Sequence, residues 1–411
     1  GDHSGDYGSR SVGIIASTHD DFYFGTYDDA GNMLTNPAAF METDGAKKFL
    51  NFNEDGFAGI AEGGKYYTRD FDGKTAYRVI YRPNMIHPLV AFSTTCVGYA
   101  VDFFDTTLGA PKPLPASDQI WPIKAVFNSL GVIGLLIFMV SFTLVLLDTP
   151  VFSALRSGEI VQPAPVQDNG AKAWYWVLLI IGAVFSGASF LFCMNTVYSK
   201  TTNFFVQTGP LTIGTWAALC GVFAIFCSAV FYGAYGKKHG WSARRAGLYL
   251  NLEQLWKTIA LAVIVIVVSF GLVFAAHYFF QVDYRMYVVA FKTFGADKVL
   301  IALRYLPFFL LFYVMNSISA NCFNYNTIGG KNGNILIFAF FNALGAIFVV
   351  ASQYIYFYAT GYQLYGLTEG QRIGPIWLFP CMVLLFVTPI MSRIIYKRTR
   401  NPYIAGLINA M

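Results

Sequence analysis

The chain has 411 residues, of which 55% are hydrophobic, 18% aromatic and only 12% charged. Charged residues usually make up about a quarter of a soluble globular domain. The composition therefore excludes a disordered chain, a coiled coil and an ordinary soluble enzyme, and it indicates a membrane protein.

The net charge is +5, but the acidic and basic residues are unevenly distributed along the chain. Residues 1–122 hold 16 of the 23 acidic residues, whereas the rest of the chain carries a basic surplus. Basic residues between apolar segments indicate membrane orientation. No basic helix with interleaved aromatic residues, typical of nucleic-acid binding, occurs in the sequence. We therefore expect the lipid bilayer as a partner, and no nucleic acid.

The first predicted element is a strand within RSVGIIASTHDDFYF (residues 10–24). Its apolar run VGIIAS is typical of a buried parallel strand, and two aspartates follow it. Adjacent side chains on an extended chain point to opposite faces, so we expect only one of Asp20 and Asp21 to face a site at the strand end.

The next predicted elements are a short helix at residues 46–52 and a second strand at residues 75–82. The second strand places His87 in the loop just after it. An amphipathic helix is predicted at residues 94–107, where apolar residues recur at helical spacing. The order is therefore strand and Asp, an insertion, strand and His, and a helix.

This order, and the segments YGSRSVGIIASTHDDFYF, NMIHPLVAFS, AVDFFDTTLGAP and QIWPIK, resemble the C-terminal part of bacterial membrane-anchored α/β-hydrolases. In that family an extracytoplasmic hydrolase domain precedes a polytopic membrane tail. The resemblance covers residues 7–147 well and the remainder in general character. It implies that Asp20 is the acid and His87 the general base of a catalytic triad, whose chain order is Ser, acid, His.

The nucleophile that the resemblance requires is missing from the sequence. The family's Ser lies in a G-x-S-x-G turn between a strand and a helix, upstream of the acid. Ser4, in GDHSGD, has no strand before it. We therefore expect residues 1–120 to be the incomplete C-terminal part of the hydrolase domain. Residues 121–411 are expected to form a polytopic transmembrane domain.

The activity implied by the resemblance is hydrolysis of an ester, thioester or amide at the outer membrane face, and the identity of this small-molecule or acyl substrate stays open. No metal or organic cofactor is expected, because the sequence has no P-loop, no G-x-G-x-x-G and no HExxH motif. The six cysteines form no CxxC pair, so neither a zinc site nor a disulfide framework is expected.

Simpler interpretations of the site residues remain open at this point. An Asp at a strand end is commonly a turn residue, and a His before Pro in a loop is commonly a surface residue. We assign no catalytic role to His3 or His19. A group of other carboxylates is interpreted as a solvated acidic surface: Asp28, Asp29, Asp70, Asp72, Asp102 and Asp105.

Seven later stretches are apolar over the roughly 20 residues that a helix needs to cross a bilayer. The first, VFNSLGVIGLLIFMVSFTLVLL, contains no charged residue. The predicted fold class is a mainly α, polytopic helical membrane protein of about seven transmembrane helices, preceded by the C-terminal part of an α/β-hydrolase domain. The predicted spans cover residues 126–147, 174–196, 211–235, 258–280, 299–320, 335–358 and 373–395.

Loop charges predict the orientation of these spans. With residues 1–120 outside, the inside segments hold 11 Lys and Arg residues and the outside loops hold 5. Basic residues favour the cytoplasmic side. We therefore predict a multi-pass protein of the cell membrane with an extracytoplasmic N-terminal domain and a cytoplasmic C-terminus.

Four polar residues within the spans are candidates for an intramembrane site: Arg304, His277, Asn316 and Asn342. The simpler interpretation is that Arg304 and His277 lie near helix ends and reach the interface. The Asn-rich segment at residues 316–334 is interpreted mainly as a turn-forming connection. A transporter or sensor with an external ligand-binding domain is the alternative function, although no inverted repeat is evident between the halves of the chain.

Overall fold

The computed structural model describes residues 7–29, 33–166, 168–366 and 368–411. It is mainly helical and divides into two compact units. The first, here called the N-terminal unit, comprises Gly1–Lys124 together with Ala351–Ile376. The second, here called the helical unit, comprises Ala125–Val350 and Trp377–Met411.

The N-terminal unit is built on short strands and helices. In chain order they are β1 (Val12–Ile15), β2 (Thr26–Tyr27), β3 (Met33–Thr35), α1 (Asp44–Leu50), β4 (Tyr67–Phe71), β5 (Lys74–Tyr81), α2 (His87–Val90) and α3 (Thr94–Leu108). A 3-10 helix at Pro37–Glu42 leads into α1.

The main sheet of this unit has three strands in the order β1-β5-β4. β1 runs parallel to β5, with Ile14 opposite Ile80, and β4 pairs antiparallel with β5. The predicted strands at residues 12–17 and 75–82 correspond to β1 and β5, whereas the β4–β5 hairpin was not predicted. A parallel pair of apolar strands needs cover on its faces.

Helices α1 and α3 provide part of that cover. Ala46, Phe49 and Leu50 of α1 form a buried cluster with Ile80 of β5. The Phe103 ring of α3 lies so close to Gly13 of β1 that a Cβ there would meet it at 3.0 Å. Glycine at that position therefore permits the close helix–strand contact.

Seven long helices follow in the described part of the chain, and each, together with any π-helical turn that extends it, contains one of the predicted spans. They are α4 (Trp121–Leu147), α5 (Asn169–Thr196), α6 (Thr208–Phe231), α7 (Leu252–Phe280), α8 (Ala296–Ile318), α9 (Gly330–Thr360) and α10 (Glu369–Thr399). π-helical turns extend α6 over Tyr232–Gly236 and α8 over Ser319–Phe323. Their length and apolar composition indicate a multi-pass membrane protein.

The helical unit also contains two elements that were not predicted. A hairpin, β6 (Tyr284–Met286) and β7 (Val289–Phe291), lies between α7 and α8. A C-terminal helix, α11 (Pro402–Ala410), buries Ile404 and Ile408 in a cluster with Leu261 of α7.

Small residues allow α5 and α9 to approach each other closely. A Cβ at Gly345 of α9 would lie 2.5 Å from the carbonyl oxygen of Ala183 and 2.8 Å from the backbone nitrogen of Gly187. Helices in membranes pack closely at such small residues, because lipid provides no hydrophobic force between them.

The Asn-rich segment is only partly the turn that we predicted. Asn316 lies inside α8 and Asn334 inside α9, where both side chains are buried. The connection itself centres on Gly329 and Gly330, whose φ angles of 79° and 73° favour glycine. The turn chemistry was therefore interpreted correctly only for the middle of the segment.

The connection between α9 and α10 belongs to the N-terminal unit, since that unit includes Ala351–Ile376. The sequence had assigned these residues to the transmembrane domain. The Arg372 guanidinium lies 4.1 Å from the ring centroid of Tyr27. The loops after β1 and the end of α9 thus form one compact body.

Candidate functional site

The structure brings Asp20 and His87 together. The carboxylate oxygen Asp20 Oδ2 lies 2.9 Å from His87 Nδ1, which is the contact that an acid and a base of a catalytic triad, as implied by the resemblance, would make. Asp20 is almost completely buried, whereas the His87 side chain is 38% exposed. One partner is therefore enclosed while the other reaches the surface.

The parallel pairing of β1 and β5 explains why these residues meet. Hydrogen bonds continue past the ends of the strands, from Ala16 N to Tyr81 O and from Thr18 N to Pro83 O, both 2.9 Å. His19 then forms an isolated parallel bridge with Ile86. The segments that follow β1 and β5 therefore leave the sheet side by side, and each contains one of the two site residues.

Backbone hydrogen bonds hold the Asp20 carboxylate in place. Its other oxygen, Oδ1, accepts from Phe22 N at 3.0 Å and from Tyr23 N at 2.7 Å. An Asp side chain that accepts a hydrogen bond from the backbone nitrogen two residues later is common in turns. Here the same carboxylate serves both the turn and the histidine.

Asp21 also belongs to the site, although we expected only one of the two aspartates to face it. Its side chain avoids the imidazole, as predicted, but it does not leave the site. Asp21 Oδ1 accepts from the backbone nitrogen of His87 at 3.0 Å, and Oδ2 accepts from the Tyr354 hydroxyl at 2.6 Å. The two adjacent carboxylates therefore hold the ring and the backbone of the same histidine.

The end of α9 and the loop after it support this arrangement from a distant part of the sequence. Besides Tyr354, the Gln363 side chain donates a hydrogen bond to the backbone carbonyl of Asp21. His19 stacks on Tyr358 with ring centroids 4.5 Å apart and meets the edge of Phe357 at 5.6 Å. His19 is thus a packing residue.

The surroundings change the acidity of both His87 and Asp21. The hydrogen bond that His87 donates to the Asp20 carboxylate raises the pKa of His87 above its usual value, against the opposing effect of desolvation. Burial raises the pKa of Asp21 to about 6, because the charged form is poorly solvated there. A change in pH near neutrality therefore alters the charge of this site.

The exposed side of His87 borders an aromatic residue and the solvent. The Tyr23 ring centroid lies 5.0 Å from the imidazole. Among the described residues, no hydroxyl or thiol is hydrogen-bonded to the His87 ring. Ser4 and His3 lie outside the described residues. The arrangement provides an oriented, partly exposed imidazole that can accept or donate a proton.

The remaining carboxylates that we interpreted as acidic surface lie at or near the surface. Asp29, Asp70, Asp72, Asp102 and Asp105 are exposed, and Asp28 is half-buried. No group of three or more His, Cys, Asp and Glu side chains in the described ranges could hold a metal ion.

Two of the predicted intramembrane candidates contact each other. Asn316 of α8 donates to Asn342 of α9 at 2.6 Å, and Asn342 donates to the Leu385 carbonyl oxygen at 2.6 Å. Arg304 instead donates to the Phe204 carbonyl oxygen at 3.0 Å, in the connection between α5 and α6. None of these contacts forms a group of ionisable side chains.

Two residues with important contacts were not predicted from the sequence. Arg393, a charge within the seventh predicted span, is buried between helices, and its position in an apolar stretch was a detectable signal. Tyr354 offered no such signal, because it lies 333 residues from its partner Asp21.

Comparisons of the chain with protein-family models, curated proteins and solved structures gave no match.

Proposed function

We propose that the chain is part of a membrane-tethered serine hydrolase that cleaves an ester, thioester or amide at the outer membrane face. The observation that carries this proposal is the 2.9 Å contact between Asp20 and His87. The two residues follow adjacent parallel strands, which is the placement of the acid and the base in the α/β-hydrolases that the sequence resembles.

The two residues have different roles in the proposed mechanism. His87 accepts a proton from the serine nucleophile through Nε2 and returns it to the leaving group. Asp20 keeps the proton of the neutral imidazole on Nδ1 and stabilises the imidazolium that forms. Water then hydrolyses the acyl-enzyme. Asp20 suits this role because backbone N–H groups already fix its carboxylate.

The proposal assigns the nucleophile and the oxyanion donors to residues outside the described ranges. β1 is consistent with this assignment. Within the described part of the chain it pairs only with β5, so its other edge can accept further strands. Such strands would carry the serine turn toward the exposed side of His87.

The charge distribution supports the proposed location. The excess of Lys and Arg residues in alternate connections favours an extracytoplasmic N-terminal unit. The seven long helices then tether the site to the outer face of the cell membrane.

A fluorophosphonate probe tests the proposal, because it labels a serine only when a general base activates that serine. The intact parent protein, which in this proposal contains the serine nucleophile, is expressed in membranes, incubated with the probe and examined for labelling. We expect labelling of the unaltered protein and its loss in His87→Ala.

His239→Ala is the matched control, because His239 also lies near a carboxylate. Its Nε2 is 3.3 Å from Asp168 Oδ2, but the pair lies in the helical unit. Labelling should persist in that variant. Equal labelling of His87→Ala and the unaltered protein would contradict the proposed role of His87, and no labelling of either would contradict a serine hydrolase.

A further inference from the structure

The helical unit contains a cavity of about 210 Å³ between α5, α6, α8, α9 and α10. Most of its walls are apolar. They include Leu179, Gly182, Ala217, Phe223, Phe312 and Phe341. Neither Asp20 nor His87 lines this cavity.

The cavity is long in the direction of the helices. Its lining residues on α6 run from Ile213 to Phe231, which corresponds to roughly 27 Å at the usual rise of an α-helix. The hydrocarbon core of a bilayer is about 30 Å thick. The cavity is therefore nearly as long as this hydrocarbon core is thick.

One end of the cavity is polar. Ser228 of α6, Ser319 of the π-helical turn and Asn324 line it where α6 and α8 end. Both helices carry their π-helical turns at this end, and such turns occur frequently at functional sites. This end therefore offers hydrogen-bonding groups, in addition to those of Asn316 and Asn342 farther along the cavity.

A buried positive charge, that of Arg393, lies behind the wall at this polar end and does not itself line the cavity. Arg393 is 2% exposed, and its Nη2 donates to the carbonyl oxygen of Ala320 at 2.5 Å. Ala320 directly follows Ser319 of the cavity wall. Nε donates to Asn321 at 2.8 Å and Nη1 to Asn334 at 2.9 Å.

None of these partners neutralises the charge of Arg393. Its acceptors are amide and backbone oxygens, and the Tyr325 ring centroid lies 3.9 Å from the guanidinium. Within the described ranges, Arg393 forms no ion pair with a carboxylate. A buried charge without a counter-charge is costly in an apolar environment. An anion at the polar end of the cavity would offset part of that cost.

We propose that the cavity holds one acyl chain of an anionic phospholipid from the surrounding bilayer, with the head group at the Ser319–Asn324 end. The apolar walls accept the chain and the serine and asparagine side chains accept or donate hydrogen bonds to the head group. The positive charge of Arg393 favours an anionic lipid over a zwitterionic one.

Photoreactive lipids test this proposal on the full chain in nanodiscs. The probes are phosphatidylglycerol and phosphatidylcholine with the same diazirine-bearing acyl chain, and the labelled peptides are identified by mass spectrometry. We expect labelling of cavity-lining peptides of α5, α6 and α8 by the anionic probe. Unlabelled phosphatidylglycerol should compete, and the zwitterionic probe should label less.

Gly182→Phe should abolish this labelling. A Cβ at Gly182 meets no atom within 4 Å, so the ring has open space to enter and fills the cavity. Gly271→Phe on α7 is the matched control, since its Cβ also meets nothing but the residue does not line the cavity. Labelling should persist there.

Two substitutions of Arg393 test whether its positive charge determines the preference for the anionic lipid. Arg393→Gln should remove the preference for the anionic probe, whereas Arg393→Lys should retain it. Equal labelling in Gly182→Phe and the unaltered protein would overturn the site, as would failure of unlabelled lipid to compete. Equal labelling of the unaltered protein by both probes would overturn the assignment to an anionic lipid. These outcomes are independent of hydrolase activity.

Discussion

Asp20 and Asp21 are identical in chemistry and adjacent in sequence, yet their surroundings give them different roles. Asp20 contacts the imidazole of His87, and Asp21 contacts its backbone nitrogen and the Tyr354 hydroxyl. The sequence predicted that only one of them would face the site, whereas both contact His87. The contacts of Asp21 make it a support for the position of His87.

The acidity of His87 provides a residue-scale prediction. Its pKa is raised mainly by Asp20, so the stabilisation from this contact is fully present below the usual pKa of about 6.5 and is lost as the pH rises through the raised value. Asp20→Asn should lower the pKa of His87. The pH dependence of diethyl pyrocarbonate modification, followed on the His87 peptide, measures the shift.

His239 gives an internal reference in the same modification experiment, since it lies far from Asp20 in the sequence and in the other unit. Its modification profile should be the same in both proteins. An unchanged His87 profile in Asp20→Asn would contradict a carboxylate that acts on the imidazole.

A second residue-scale prediction concerns Tyr354. Tyr354→Phe removes the hydroxyl that donates to Asp21, so His87 should lose part of its positioning and its pKa should move toward the ordinary value. Tyr356→Phe is the matched control on the same helix, because Tyr356 is 41% exposed. The modification profile of His87 should change in the first variant alone. Identical profiles in both variants would exclude a positioning role for Tyr354.

At the scale of elements, the seven long helices were predictable because each depends on local apolar composition. β1 was predictable for the same reason, since VGII is a continuous apolar run, and β5 was predictable because KTAYRVIY is rich in aromatic and β-branched residues. β4 reads YTRDF, and α11 comprises only nine residues, so neither carries a strong local pattern. These elements depend on packing against partners distant in the sequence.

The close contact of α5 and α9 yields an element-scale prediction. Gly345→Leu would place a side chain where Ala183 and Gly187 already lie, so the helices must separate. Overpacking of this kind typically costs about 1–3 kcal/mol. Thermal unfolding of the detergent-purified protein should begin at a lower temperature.

Gly134→Leu on α4 is the control for this packing prediction, because a Cβ there meets no atom within 4 Å. Its unfolding temperature should stay close to that of the unaltered protein. Equal stability of the Gly345 variant would contradict close α5–α9 packing.

At the scale of the whole molecule, the N-terminal unit includes the α9–α10 connection. Of the seven candidate membrane spans in the described part of the chain, six, an even number, lie between residues 1–120 and this connection. Both therefore lie on the same side of the membrane in the topology predicted from loop charge. The Tyr354–Asp21 contact is consistent with that count.

This topology predicts the accessibility of single cysteines in a variant without the natural ones. A membrane-impermeant maleimide applied to intact cells should label Ser117→Cys and Tyr362→Cys, which share the outer side. It should label Lys238→Cys only after the cells are opened. Labelling of Lys238→Cys in intact cells would contradict the orientation.

The most direct test of the whole account is the turnover of a short acyl p-nitrophenyl ester by the intact parent protein in membranes, which in the proposal contains the serine nucleophile. If Asp20 and His87 are the acid and the base of a serine hydrolase, His87→Ala should abolish turnover at unchanged expression and membrane insertion. Asp20→Asn should reduce kcat by up to about 10⁴-fold, because the imidazole loses control of its tautomer. Asp70→Asn, at the exposed end of β4, should retain full activity. Turnover that is equal in all four proteins would contradict the account.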